Sequence, residues 1–329
     1  MNKKTLIFLI IFIVLIILII AGSFIVWNLF RPTDINAKPI NFEIKPKTTT
    51  LEIANDLKNT GLIKSKWIFI GYLKLPLLGS RSKTIKAGVY QLQKSENLIE
   101  ITKKLTSGEI SEWIVTFPEG FGIKDIAARL QEKGIVKKEV FLNETSLISK
   151  YQNNFEFLKG ITSPNLEGYL FPDTYHFYYD VTSEEIIKKM LENFKNKTSN
   201  KPVDYQVITI ASIVEREAQK PEDRAKIASV YLNRLDKGIK LEADPTVQYA
   251  KGSWDKITSL DYKIDSPYNT YKYTGLPPGP ICNPGLDSIM AVLNPEKTNY
   301  FYFFHNKEGQ AIFSLTNEEH EQKKQKYLK

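Results

Sequence analysis

Two carboxylates, Glu215 and Glu217, stand at the end of the segment Ala211-Ser-Ile-Val-Glu-Arg-Glu217. If residues 204–219 form a helix, Val207, Ile210, Ala211, Val214 and Ala218 share one face, which predicts a core-facing stripe with the two glutamates on its opposite borders. Glu217 then has Ile210, Ile213 and Val214 at i−7, i−4 and i−3, whereas Glu215 has Ile208, Ala211 and Ser212. A carboxyl beside large aliphatic groups loses solvation in its charged form. Its pKa rises, and it can stay protonated to serve as a general acid. Glu217 is therefore the stronger candidate acid. The plainer alternative, a solvated carboxylate at the edge of an apolar face, stays open, because such patterns mark function only probabilistically.

A second chemical feature is the segment from Ser266 to Gly285, rich in Pro and Gly and carrying Tyr268, Asn269, Tyr271 and Tyr273. Flat amphipathic rings suit the apolar C–H faces of sugars, and Asn and Tyr can bond their hydroxyls. The same composition also fits a loop that packs its aromatics on the core. Asp244 and Glu242 are possible second carboxylates, although Asp244 before Pro245 also reads as a helix N-cap. The single Cys282 excludes an intramolecular disulfide, and His176, His305 and His320 show no metal-ligand spacing. Neither a metal nor a cofactor is expected.

These residues need a scaffold, and the chain begins with an anchor. Residues 1–5 form a short tail. The apolar run over 6–30 is long enough, at 1.5 Å per residue, to cross a hydrocarbon core of about 30 Å. A cleaved signal peptide is the rival, since Ala21-Gly-Ser23 are small. The run continues through Phe24, Ile25, Val26 and Trp27, past where a cleavable signal ends, which favours an anchor. Lysines flank both ends, so orientation rests on the short leading tail, which predicts the N-terminus inside and the long remainder translocated. The net charge of +8 admits anionic partners, but Lys and Arg are interspersed with acidic residues. No basic stripe with interleaved aromatics points to nucleic acid.

After a Pro-containing linker (31–39), residues 40–117 read as a small α+β module. It has a strand at Asn41–Ile44, a capping box Thr49-x-x-Glu52 opening a helix that ends at Gly61, and a helix from Lys66 to about Leu75. A strand at Gly88–Leu92, a helix from Leu98 closing near Gly108 and a strand at Glu112–Phe117 complete it. Ile53, Ala54, Leu57, Gly61, Ile63 and Lys64 recur as Ile126, Ala127, Leu130, Gly134, Val136 and Lys137. That repeat reads either as duplicated helical hairpins or as two generic amphipathic helices with Gly caps. Residues 118–163 form a connecting helical region. From residue 164 to 329 a mixed α+β domain follows, with helices at 183–197, 204–219, 221–237 and 245–251, strands at 300–304 and 311–314, and a polar helix from Asn317.

Five motifs in fixed order carry a resemblance: the segments 211–217, Ala228-Ser-Val-Tyr-Leu-Asn-Arg-Leu235, Asp244-Pro-Thr-Val-Gln-Tyr249, Tyr268-Asn-Thr-Tyr271 and Gly275-Leu-Pro-Pro-Gly279. With Leu166-Glu-Gly-Tyr-Leu-Phe-Pro-Asp-Thr174 and Lys86-Ala-Gly-Val-Tyr90, the chain closely resembles the endolytic murein transglycosylases, a YceG-like family, over nearly its whole length. The resemblance implies an α+β fold in which the 40–117 module is LysM-like and binds peptidoglycan, followed by a catalytic domain at 164–329. It also implies a bacterial inner-membrane anchor with the body in the periplasm, and a lyase that cleaves nascent glycan strands between N-acetylmuramic acid and N-acetylglucosamine. Penicillin-binding proteins are implied partners. The family's essential glutamate falls on Glu217, and Asn233, Tyr268, Asn269 and Tyr271 are the implied glycan-binding positions. Cys282 and Asn283 receive no role. Two rivals remain: a hydrolytic muramidase using Asp244 or Glu242 as a second carboxylate, and a non-catalytic tethered scaffold that binds glycan.

Overall fold

The computed structural model describes residues 3–45, 47–74, 84–108, 112–161 and 163–328. The chain divides into two compact units, Met1–Trp113 with His176–Asp180, and Ile114–Tyr175 with Val181–Lys329. The fold class is α+β, as expected, with helices predominating.

In the first unit, α1 (Lys3–Phe30) is a continuous helix whose stretch Thr5–Phe30 is long and apolar enough to cross a membrane. The segment after it is stitched down. Thr33 donates its hydroxyl to the Gly61 carbonyl at 2.6 Å, and the backbone amides of Thr33 and Asp34 both reach the Lys94 carbonyl at 3.0 Å. Strand β1 (Ile40–Ile44) pairs antiparallel with β2 (Gly88–Leu92), Phe42 opposite Tyr90 and Ile40 opposite Leu92. The capping box forms as the sequence predicts: Thr49 and Glu52 exchange side-chain to backbone bonds at the start of α2 (Thr50–Asn59). A second box, Asn97 with Glu100, opens α4 (Leu98–Ser107), which Gly108 closes in the left-handed conformation. Between them α3 (Lys66–Lys74) inserts Phe69 into a core of Phe42, Ile44, Ile53, Leu57, Leu92, Ile101 and Leu105. The expected end of this helix at about Leu75 lies outside the described residues. The Lys86–Tyr90 motif has a structural use: the Tyr90 hydroxyl donates to the Lys86 carbonyl at 2.6 Å, and Lys86 Nζ reaches Ser107 O, tying β2 to the end of α4.

Strands β3 (Glu112–Thr116) and β4 (Thr174–Tyr178) form a second two-stranded sheet, and the division between the units falls within both strands. The second unit then holds α5 (Ile123–Glu132), α6 (Lys138–Thr145), α7 (Ile148–Gln152), α8 (Ser183–Thr198) and α9 (Tyr205–Glu217). It continues with α10 (Arg224–Asp236), α11 (Asp244–Lys251), α12 (Leu286–Leu293), the hairpin β5 (Tyr302–His305) and β6 (Ala311–Ser314), and α13 (Asn317–Tyr327). The repeat noted in the sequence is repeated in space. α2 and α5 bury matching triplets, Ile53-Ala54-Leu57 and Ile126-Ala127-Leu130. Both are followed by a left-handed glycine, Gly61 or Gly134, and a packed second helix, α3 or α6.

The central element of the second unit is α9, and here the expectation of one apolar face needs correcting. Every residue from Ile208 to Val214 is buried, Thr209 and Ser212 included, whereas Val207 and Ala218, both assigned to the stripe, are only half-buried. The cause is that α9 packs against α10, α11 and α12, and α12 is not legible in the sequence. Two polar side chains in that interior are satisfied locally or by the loop. Thr209 donates to Tyr205 O, and Ser212 accepts from the Ile281 amide at 3.0 Å while donating to Thr209 O at 2.7 Å. The motif 166–174 closes over the N-terminal part of the same helix. Gly168 takes φ +90, and a Cβ there would meet Pro280 and the Ile208 side chain at 2.5 and 2.8 Å, so no larger residue fits.

Candidate active site

Glu217 is the last residue of α9, and the chain turns out of the helix at Ala218. Its neighbours one and two turns back, Val214, Ile213 and Ile210, are fully buried. Burial pushes the Glu217 carboxyl up to about 7, the nearby Asp244 charge adds to this, and a hydrogen bond from Tyr231 opposes it. The negative end of the α9 dipole also disfavours a carboxylate at that position. Tyr231, itself buried on α10, donates its hydroxyl to Glu217 Oε1 at 2.8 Å. Its ring meets Phe303 of β5 edge-on, which fixes the direction of the hydroxyl.

Asp244 faces the same cleft from the start of α11. It is not the cap of that helix: Ala243 occupies the N-cap position, and the Asp244 side chain turns outward to accept the Tyr271 hydroxyl at 2.7 Å and the Tyr262 hydroxyl at 3.2 Å. Those two rings pack edge to face with centroids 4.5 Å apart. Glu242, the other possible second carboxylate, is engaged by Arg234 at 2.9 Å. Arg234 is buried and also donates to the carbonyls of Phe301, Lys240 and Leu241, so it knots α10 to β5 and to the approach to α11. The resulting cleft has a volume of about 470 Å³, within the range of small-molecule sites. Glu217, Tyr231, Arg234, Asp244, Tyr262 and Tyr271 line it together with residues of strand β5 and α13, among them Tyr302, His305, His320 and Lys324.

Of the four glycan-binding positions suggested by sequence, Tyr271 alone is in this cleft with Glu217. Asn233 points to the far side of α10 and donates to the carbonyls of Thr298 and Tyr300 at 2.9 and 3.0 Å. Asn269 is fully buried: its amide bonds the carbonyls of Tyr262 and Ile264, and its oxygen accepts from the Tyr271 amide. It shapes the loop that presents Tyr262 and Tyr271. Tyr268 packs on Tyr249, outside the cleft lining, with ring centroids 4.8 Å apart. Sequence reasoning misses Tyr231 within its motif and weighs Asp244 only as a second carboxylate or a cap. The signal is available for Tyr231, since it shares a helical face with Arg234 at i+3, whereas Asn233 at i+2 must point elsewhere.

Glu215, the other glutamate of the pair, has a different environment. It accepts the Gly285 amide at 3.0 Å and lies 3.7 Å from Arg224, so it holds the N-terminus of α12. Asn283 is a further staple: its oxygen accepts from the Leu170 amide and its side-chain nitrogen donates to Phe121 O, each at 2.9 Å. Cys282 is buried.

If the Tyr231 bond stabilises ionised Glu217, Tyr231→Phe should raise the pKa of the acid. The expected result is an alkaline limb of the pH–rate profile displaced to higher pH, with a loss of about 0.5–1.5 kcal/mol in folding stability from the missing bond. A pH titration of kcat alongside urea denaturation checks both.

Comparison with known proteins agrees along the chain. The YceG-like family model matches residues 42–326. A protein of Bacillus subtilis (strain 168) named endolytic murein transglycosylase is 40% identical over 334 residues, covering 94% of this chain and 91% of its own. A Streptococcus pneumoniae (strain D39) protein of the same name is 34% identical over 356 residues, covering 95% of this chain, which spans 64% of that protein's length. The 2.6 Å crystal structure of a YceG-like protein from Listeria monocytogenes superposes with a TM-score of 0.58 at 35% identity, over 87% of this chain and 99% of that one. The chain belongs to the YceG-like family.

Proposed function

We propose that this protein is an endolytic peptidoglycan lytic transglycosylase, a lyase that cleaves the bond between N-acetylmuramic acid and N-acetylglucosamine within glycan strands. The observation that carries the reading is Glu217: a carboxyl held near pKa 7 at the end of a buried helix, opening onto a cleft walled by tyrosines. The name borne by relatives that match nearly the whole of this chain supports the same reaction.

In the mechanism, protonated Glu217 gives its proton to the glycosidic oxygen, and the C1–O bond breaks through an oxocarbenium-like state. The carboxylate then takes the proton of the muramic C6 hydroxyl as its oxygen closes onto C1. One proton leaves and one returns, and no water enters. A carboxyl with a pKa near the working pH suits both halves, since it must donate and then accept. Asp244, fixed by two tyrosine hydroxyls, places a negative charge where C1 becomes positive and helps keep Glu217 protonated until the bond breaks. Tyr271 and Tyr262 are the proposed sugar-contacting rings. α1 serves as the single-pass anchor, with the N-terminus inside and the body outside the inner membrane, and the first unit is the proposed LysM-like module that holds the strand. Penicillin-binding proteins are the proposed partners in synthesis, and cleavage ends strand elongation.

Uncrosslinked glycan strands incubated with the full chain in detergent, with products read by mass spectrometry, test the reaction. Anhydromuramyl ends, about 18 Da lighter than hydrolytic reducing ends because one water is missing, are the expected product. Reducing ends would instead make the protein a muramidase, a reading that the position of Asp244 in the cleft keeps worth testing.

A further inference from the structure

The end of α1 is built into the first unit. Asn28 is only 4% exposed and Leu29 packs against the core cluster of the module. At 1.5 Å per residue the 26-residue apolar stretch Thr5–Phe30 measures about 39 Å, longer than a hydrocarbon core of about 30 Å, so a core centred on it leaves about one turn at each end for the headgroup layer. On that placement Trp27 stands at the boundary between the two layers. Its ring is covered by the Arg31 guanidinium at 4.2 Å and the Lys64 ammonium at 5.1 Å. Lys64 comes from the loop that begins α3, so the module comes down to the level of Trp27. Three residues further on, within about 10 Å of Lys64 along the chain, Trp67 is 67% exposed while Phe69 on the other face of α3 is fully buried. The Lys66 ammonium lies 5.2 Å from the Trp67 ring. An exposed indole flanked by lysines, at the height of a membrane-boundary tryptophan, is the chemistry that binds an interface between apolar chains and phosphate headgroups.

We propose that the first unit is seated on the bilayer surface through the start of α3, with Trp67 in the headgroup layer and Lys64 and Lys66 toward lipid phosphates. The proposal rests on α1 spanning the membrane. It has a functional consequence: the module is fixed against the membrane at two points, α1 and α3, and cannot swing on its anchor.

The test places a thiol spin label at Trp67→Cys and, in a separate chain, at Leu15→Cys, in full-length protein reconstituted into vesicles of equal parts phosphatidylglycerol and phosphatidylcholine. Native Cys282 is buried and does not compete for the label in the folded protein. Collision with oxygen and with a water-soluble nickel chelate reports depth. The Leu15 label should collide with oxygen and be shielded from nickel. The Trp67 label should show nickel collisions reduced severalfold from those of free label in water, at the depth of the headgroups. A Leu15 label in the interior with a Trp67 label as open to nickel as free label overturns the surface contact and leaves the anchor standing. Both labels in water overturn the anchor and the contact together.

Discussion

Glu217→Gln should lower the rate of strand cleavage by at least about 10²- to 10⁴-fold, the usual worth of general acid–base help, because glutamine keeps the shape but cannot donate an acidic proton. The wild-type rate should fall as pH rises above about 7, where the acid loses its proton. Single-turnover cleavage measured from pH 5 to 9 checks both; unchanged activity in the variant would remove Glu217 from the mechanism. The same substitution separates the enzyme from the scaffold reading. A tethered glycan-binding scaffold carrying Glu217→Gln would keep its cellular function intact, whereas a transglycosylase carrying it would lose the anhydromuramyl ends it makes in cells. The variant also has a stability signature whose sign follows from the raised pKa. Folded protein binds the Glu217 proton more tightly than unfolded chain does, so between about pH 4.5 and 7 the native state holds more protons and stability is lost as pH rises. Glu217→Gln removes this cost, on the order of 3 kcal/mol for a carboxyl moved from 4.5 to about 7, and its Tm should exceed that of wild type by roughly 5–10 °C at pH 8, with the difference vanishing near pH 4. A destabilised variant at pH 8 would mean that the carboxylate is held by contacts that favour its charge.

The opposite fates of Glu215 and Glu217 illustrate what is legible in the sequence. Residues two apart on a helix point about 200° apart, so one glutamate has to differ from the other in its surroundings, and the aliphatic neighbours Ile210, Ile213 and Val214 mark which is desolvated. Local signals read equally well: both ends of β2, the Thr49 capping box and the closing role of Gly108 follow from neighbours within four residues. What cannot be read is the element that buries the polar side of α9. α12 follows a loop full of Pro and Gly, has no side-chain cap at Gly285, and is positioned by Glu215 from seventy residues away. Without it, α9 looks amphipathic. Strand β4 escapes notice for a different reason: Thr174-Tyr-His-Phe-Tyr178 alternates, with Tyr175 and Phe177 buried and the residues between them exposed, but the aromatic-rich motif before it reads as turns. Among the site residues, Asn233 and Asn269 look like ligand donors because side-chain amides serve sugars and backbone carbonyls equally well. Which of the two they meet depends on residues 298–300 and 262–264, whose placement is tertiary.

Asp244→Asn should give the second largest effect and the more informative one. Asparagine keeps the size of the side chain and can still accept from Tyr271 and Tyr262, so the cleft should hold its shape while losing one negative charge. If that charge stabilises the positive C1, kcat should drop by about 10²-fold, comparable to removing one preorganised electrostatic group from an active site, with KM little changed. The alkaline limb should also move to lower pH, because the charge that helps hold Glu217 protonated is gone. This is the reverse of the shift expected for Tyr231→Phe, so the pair of variants tests the electrostatics of Glu217 from both sides. The products decide what Asp244 does. In a transglycosylase the slow Asp244→Asn variant still makes only anhydro ends, since the nucleophile is the substrate's own hydroxyl. If Asp244 instead activates water, wild type yields reducing ends and the variant yields almost none. A variant with wild-type kcat and an unmoved pH profile would reduce Asp244 to a support for Tyr262 and Tyr271, and leave Glu217 as the single carboxyl that the chemistry uses.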